Sequence, residues 1–262
     1  MIYVNDTPYA IGHYPDNTLL LKLPPRATDD VTIRWDYENS EELVALMFLT
    51  RTLQESGDKV SLFMPYIPNA RMDRVKAWDD VFTLKYFCDI INGLGFTTVT
   101  VRDPHSAVSE ALINNLRIYT SDLAYYISCA STACKPDYMF FPDEGAAKRY
   151  SSLVTRPHFF ANKKRDWQTG KITGLELAMN GVELPLDRKT ILIIDDICSK
   201  GGTFFHAAKA LKAVGAGDIY LYVTHCENSI HDGELINSGL LKRIYTTPSI
   251  LTKPHDLIEV LS

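Results

Sequence analysis

Ile191-Leu192-Ile193-Ile194-Asp195-Asp196-Ile197-Cys198-Ser199-Lys200-Gly201-Gly202-Thr203 is the stretch on which the fold turns. The apolar run from Thr190 to Asp195 reads as a strand buried on both faces, the habit of parallel sheets covered by helices. It emerges into two adjacent acids and a Gly-Gly-Thr turn, and Gly202 to Val214 then reads as a helix ending near Gly215. Open α/β sheets bind ligands outside the carboxyl ends of their strands, at corners of this kind. Gly201 and Gly202 let backbone amides approach an anion. The helix that follows adds unpaired N–H groups and the positive end of its dipole. Two carboxylates beside such a cradle repel the anion, but they accept hydrogen bonds from hydroxyls. The local chemistry is therefore that of a sugar phosphate, with vicinal hydroxyls on one side and charge on the other. The plainer alternative is an ordinary strand–turn–helix corner capped by Thr203. A Gly-x-x-x-x-Gly-Lys-Ser/Thr phosphate loop is absent.

The same alternation extends outward from this corner. Ser40 followed by Glu41 and Glu42 marks a helix start, Leu43, Leu46, Met47 and Leu53 recur at helical spacing, and Gly57 terminates. Val60 to Met64 reads as a strand stopped by Pro65, and Thr97 to Arg102 as another. Between them Asp80 to Asn92 reads as a helix with Phe87, Ile90 and Ile91 inward. Later, Tyr138 to Phe141, His158 to Ala161 and Ile219 to Thr224 read as strands, and Glu144 to Ser152 as a helix. Asn162 to Gly174 is basic, polar and glycine-containing, and reads as a mobile loop. Strands separated by helices imply βαβ units and parallel sheets. A boundary near 120–136 gives two halves, 1–128 and 129–262.

Composition narrows the function. The chain has 262 residues, enough for one large or two modest cores. With 27 Lys+Arg against 32 Asp+Glu, a net charge of −5 argues against broad nucleic-acid binding. No uncharged apolar run approaches the ~20 residues that span a bilayer, and Met1 to Asp6 has no signal-peptide character. Five scattered cysteines without a Cys-x-x-Cys pair fit reduced thiols in a cytoplasmic protein.

The Asp195–Thr203 segment resembles the ribose-phosphate loop shared by type I phosphoribosyltransferases and ribose-phosphate pyrophosphokinases. Other segments resemble the second group. Pro65-Tyr66-Ile67-Pro68-Asn69-Ala70-Arg71-Met72-Asp73-Arg74 is similar to its ATP-binding segment. Arg102-Asp103-Pro104-His105-Ser106 is similar to its Asp-x-His metal segment, and Phe141 to Arg149 to its Pro-Asp-x-Gly segment near the ribose. Asn162-Lys163-Lys164-Arg165 resembles its basic catalytic loop. Tyr14-Pro15-Asp16 resembles a segment that reaches the adenine site of a neighbouring subunit. The matches run in family order from about residue 14 to 226.

The resemblance implies two tandem type I phosphoribosyltransferase-like domains, each a mostly parallel sheet flanked by helices. The first half is then the ATP and metal side, the second the ribose-phosphate side. It implies transfer of the ATP diphosphoryl group to an anomeric hydroxyl, releasing AMP. Arg71, Asp73, Arg74, Tyr14, Asp16 and His105 are the implied ATP-site residues. Asp143, Asp195, Asp196, Ser199, Lys200, Gly201, Gly202 and Thr203 are the implied ribose-phosphate site. Asp103 and His105 would hold Mg²⁺, directly or through water. Lys163 and Arg165 would move in with their loop and stabilise charge at the β-phosphorus. A homo-oligomer, dimer or hexamer, is implied, with no nucleic acid or membrane partner.

The chain departs from the family pattern around both substrates. Ser199-Lys200 replaces the usual Asp-Thr, an acid lost and a cation gained, which makes the anion pocket more positive. Met72 stands where a glutamine is usual, and Ala77-Trp78-Asp79-Asp80 replaces a basic stretch. Asn17-Thr18 follows Asp16 where Gly-Glu or similar is usual, and the chain is shorter than typical members. The acceptor is then ribose 5-phosphate, or a ribose carrying a longer 5-diphosphate such as ADP-ribose in nicotinamide and NAD salvage. Two rival functions share the loop: a phosphoribosyltransferase that consumes the activated sugar, and a non-catalytic regulatory relative.

Overall fold

Alternating and periodic burial organises the chain into two units, Met1–Thr120 and Ser121–Ser262. The computed structural model describes residues 1–24, 29–165, 172–178 and 185–262, with backbone alone over 162–165 and 172–178. The division falls one residue into a helix, Thr120–Cys134, and the expected boundary at 128/129 lies inside that helix.

In the first unit β1 (Ile2–Val4) and β2 (Thr7–Tyr9) form an antiparallel hairpin. A separate two-stranded hairpin follows, β3 (Gly12–His13) with β4 (Leu19–Leu20). Then come β5 (Asp30–Trp35), α1 (Glu41–Glu55), β6 (Lys59–Met64), α2 (Thr83–Gly93), β7 (Val99–Val101), α3 (Ala107–Leu112) and β8 (Leu116–Ile118). The six-stranded sheet runs β2-β1-β5-β6-β7-β8, with β5 through β8 parallel. β5 is not among the expected strands, although Val31, Ile33 and Trp35 are buried in strict alternation.

Three local expectations shift. α1 begins after Ser40 with both acids in its first turn, but the Ser40 side chain makes no cap bond. Asn39 Oδ1 instead accepts from the Glu42 amide at 3.2 Å. α2 starts at Thr83 rather than Asp80. The Asp80 carboxylate accepts from the Lys76 and Ala77 amides at 2.8 and 2.9 Å, which holds it in the preceding turn. Ile90 is exposed, because the buried stripe of α2 runs through Leu84, Phe87, Cys88 and Ile91.

The second unit contains α4 (Thr120–Cys134), β9 (Tyr138–Phe141), α5 (Glu144–Tyr150), β10 (His158–Arg165), β11 (Ile172–Ala178) and β12 (Ile191–Cys198). It ends with α6 (Gly202–Ala213), β13 (Ile219–Cys226), β14 (Arg243–Thr246) and β15 (Ile258–Val260). The seven-stranded sheet runs β11-β10-β9-β12-β13-β14-β15 and is parallel except for β11. The expected loop at Asn162–Gly174 is corrected. Its described backbone is a hairpin, with Lys163 opposite Leu175 and Arg165 opposite Ile172. Residues 166–171 of that expected loop lie outside the described residues.

β12 explains why its sequence is apolar on both parities. Ile191 and Ile193 pack with Phe204, Ala207 and Leu211 of α6 on one face. Leu192 and Ile194 pack with Ile127 of α4 and Ala146 and Tyr150 of α5 on the other. All four strand residues are fully buried. Successive strand side chains alternate between faces. That alternation puts Asp195 in register with the α6 face and Asp196 with the α4/α5 face. The strand also continues to Cys198, so both acids lie within it rather than after it.

Candidate active site

β9 leads through α5 to β10 on one side of the sheet, whereas β12 leads through α6 to β13 on the other. The chain therefore departs in opposite directions from two adjacent parallel strands, which opens a crevice at their carboxyl ends. Asp143 lies one residue beyond Pro142 at the end of β9, and Asp195 and Asp196 lie at the end of β12. Asp143 caps α5, its Oδ1 accepting from the Ala146 amide at 3.0 Å.

The acid pair is asymmetric. Asp196 is 4% exposed; its Oδ2 accepts from Arg149 Nη1 at 2.7 Å and its Oδ1 from the Ile197 amide at 2.8 Å. Asp195 Oδ1 accepts from the Asp196 amide at 3.0 Å. Burial, then the negative charges of Asp196 and Asp143, hold the Asp195 carboxyl well above the ordinary carboxylate range. Arg149 is a site residue that the motifs do not single out; it stands in the last turn of α5, which lays it against Asp196.

The turn after β12 is built by close approach. Gly201 adopts φ +77°, and a Cβ there would sit 2.6 Å from Leu235 Cδ2. Among the described residues no side chain caps α6, whose N-cap is Gly201; Thr203 is the second helical residue, not the cap. Gly202 and Thr203 are exposed, Ser199 is half-buried, and the added cation Lys200 is exposed. The structure thus brings Asp143, Asp195, Asp196 and the uncapped α6 terminus into one corner. The backbone of Lys163 and Arg165 lies in β10; their side chains are outside the described ones.

In the first unit the candidate residues stand beyond β6 and β7, which are adjacent and parallel. Asn69 at φ +65° turns the segment that carries Arg71 and Arg74, both exposed. Asp73 is buried and accepts from Arg74 Nε at 3.1 Å. Burial pushes its carboxyl up, but Arg74, Ser106 and the charge of His105 outweigh that and leave it lowered. Ser106 Oγ, buried without a formed hydrogen bond of its own, is near enough to Asp73 to add to that pull. Asp103 is 3% exposed at φ +44°, a left-handed conformation that aspartate tolerates better than most residues. Asp73, Arg74, His105 and Ser106 therefore meet in space.

Tyr14 and Asp16 stand instead on the β3–β4 hairpin, not on the six-stranded sheet. Asp16 Oδ1 accepts from the Thr18 amide at 3.0 Å and the Thr18 hydroxyl at 2.7 Å, which lowers its carboxyl. Tyr14 is exposed and lines a cleft of about 250 Å³ with Leu19 to Leu23 and Phe48.

Both units are α/β domains built on mostly parallel sheets. No family model matches the chain. A ribose-phosphate pyrophosphokinase of Sulfolobus acidocaldarius is 28% identical over 260 residues, covering 94% of this chain and 85% of that protein. One from Pyrococcus abyssi is 26% identical over 223 residues, covering 82% and 75%. The crystal structure of phosphoribosylpyrophosphate synthetase from Mycobacterium smegmatis has the same fold, with a TM-score of 0.75 at 18% identity over 97% of this chain and 85% of that one. The chain is a divergent homologue of the ribose-phosphate pyrophosphokinases.

Proposed function

We propose that the chain transfers the diphosphoryl group of ATP to the anomeric hydroxyl of a ribosyl phosphate and releases AMP. The observation that carries this is the corner at β9 and β12. There hydroxyl-accepting acids and the uncapped, dipole-positive end of α6 sit together, as a pentose phosphate requires. The names of the relatives support the donor and the reaction. In the reaction the anomeric oxygen forms a bond to the β-phosphorus, the bond from that phosphorus to the α–β bridging oxygen breaks, and AMP departs. The hydroxyl proton passes to solvent or to a nearby base.

Arg71 and Arg74 hold the polyphosphate through forked contacts. Lys163 and Arg165 are assigned to charge stabilisation at the β-phosphorus. Asp103 and His105 fit an ion shared with the nucleotide rather than an all-protein cage. Among the described residues no cluster of three or more His, Cys, Asp or Glu side chains forms such a cage. Mg²⁺ bound there supplies neutralisation of phosphate charge. The exposed Lys200 favours acceptors with more charge at the 5-position, so ADP-ribose stands beside ribose 5-phosphate. We assign Tyr14 and Asp16 to the nucleotide site of a neighbouring copy in a homo-oligomer. Five free cysteines fit a reducing compartment such as the cytoplasm.

The test is incubation with ATP, Mg²⁺ and either acceptor while AMP is quantified. Acceptor-dependent AMP is expected, and the better acceptor names the substrate. No AMP with either acceptor sinks the reading. Pyrophosphate release on adding a nucleobase, without ATP, supports the transferase rival.

A further inference from the structure

We propose that Trp78 is a specificity-determining residue for the donor: the purine base of the nucleoside triphosphate stacks on its indole, so the chain reads that base by its face rather than by its edge. This rests on the reaction proposed above and names the donor class, purine nucleoside triphosphates, with ATP and GTP held alike.

Three observations converge on this residue. The first is exposure. Trp78 leaves 96% of its surface to solvent, although an indole is a large apolar group that is ordinarily covered in good part. The second is order. Asp80 Oδ2 accepts from the Lys76 amide at 2.8 Å and the Ala77 amide at 2.9 Å, and the Asp80 amide donates to the Ala77 carbonyl at 3.1 Å. These bonds close a turn around Trp78. They also lower the Asp80 carboxyl, so it stays ionised at neutral pH and the turn stays closed. The backbone beneath the indole is thus set before a ligand arrives, and an anchored aromatic loses little freedom on binding.

The third is placement. Trp78 stands four positions after Arg74, at most about 14 Å along the chain, and Arg71 and Arg74 are assigned to the polyphosphate. The indole is therefore within reach of the base of a nucleotide whose phosphates those cations hold. Met72, between the two arginines, carries a thioether, a weak acceptor with no donor. It does not distinguish an amino group from a carbonyl on a base edge. A stack tolerates every base, because each has a π-face, and the fused rings of a purine offer the larger one.

The experiment measures calorimetric affinities of the full chain for ATP, GTP and inorganic tripolyphosphate, each with Mg²⁺, together with assembly mass. Trp78→Ala is expected to weaken ATP and GTP alike by about fivefold to a hundredfold. Tripolyphosphate, which has no base, should bind as to wild type, and Trp78→Phe should restore most of the nucleotide affinity.

A residue that only braced Arg74 would weaken tripolyphosphate as much as ATP, and that result overturns the proposal. ATP affinity equal to wild type in Trp78→Ala overturns it too, and a fall in assembly mass beside it makes Trp78 a contact between copies. Wild type that rejects GTP by about a hundredfold or more reads a base edge, which also overturns it. If tripolyphosphate binds too weakly to measure, the variant pair decides, and a loss that Trp78→Phe does not restore overturns it. AMP release by wild type with ATP affinity unaltered in Trp78→Ala sinks this inference alone. Trp78-dependent nucleotide binding without AMP release sinks the reaction alone.

Discussion

In the first unit the parallel strands β5, β6, β7 and β8 step across the sheet in one direction. The cations Arg71 and Arg74 stand on exposed turns beyond them. In the second unit the strand order reverses between β9 and β12, and the acids lie inside the end of a buried strand. One unit thus presents charge that water already solvates, and the other stores charge against burial. The electrostatics run in opposite senses. Asp73 is held below its ordinary range by Arg74, Ser106 and His105 against the pull of burial. Asp195 is held above it by burial and by Asp196. The exposed cations Arg71 and Arg74 can change with little effect on the fold, whereas the acids of the second unit are bound up with it.

The sharpest way to break this contrast is in the glycine turn. A Cβ on Gly233 would collide with the Lys200 backbone carbonyl, and one on Gly201 would meet Leu235 at positive φ. Gly233→Ala should cost more than about 3 kcal/mol and Gly201→Ala about 2 kcal/mol by urea unfolding, since neither neighbour can simply turn away. Both should also weaken ribose 5-phosphate. Equal stability in both variants would remove the idea that the second unit's site is built into its packing.

Arg74→Ala tests the other half. It should raise the KM for ATP about tenfold to a hundredfold while the urea midpoint falls by less than about 1 kcal/mol, because Arg74 is exposed and solvent screens its pairing with Asp73. A midpoint shift as large as that of Gly201→Ala would erase the difference between the units.

pH separates them further. A raised carboxyl binds its proton more tightly folded than unfolded, so its contribution is present at low pH and is lost as pH rises through the folded value. For Asp195 that window opens above the ordinary carboxylate range. Asp195→Asn should therefore remove a fall in melting temperature that wild type shows as pH rises through this window. Asp73 runs the other way: its contribution is present above the ordinary range and lost as pH falls toward the lowered value. Asp73→Asn should flatten the acid limb instead. Identical pH profiles for the two variants would contradict the opposite shifts.

The smallest effect is expected at Trp78, which is 96% exposed in the turn held by Asp80. Trp78→Ala should leave the urea midpoint within about 0.5 kcal/mol of wild type.

Much of this molecule was legible in one dimension because burial writes itself into local pattern. Ile191 to Ile194 could only be a strand covered on both sides, and Gly201 to Thr203 only a turn into a helix. Asp195 and the α6 terminus were identifiable on that basis, and Asp143 only through the resemblance of Phe141 to Arg149. Other elements were set by contacts that pattern does not carry. Asp80 looked like a helix start until its carboxylate closed a turn on Lys76 and Ala77. Asn162 to Gly174 looked like a loop because polar, basic residues at a sheet edge carry no burial signal, yet β10 and β11 pair their backbones there. Which acid meets Arg149 was decided only when α5 packed on one face of β12. Composition and spacing determine the class of ligand, because they set which chemical groups arrive at a strand end. Tertiary packing determines which of those groups is left for the ligand, because a side chain's hydrogen-bonding capacity is consumed by whatever the fold lays against it.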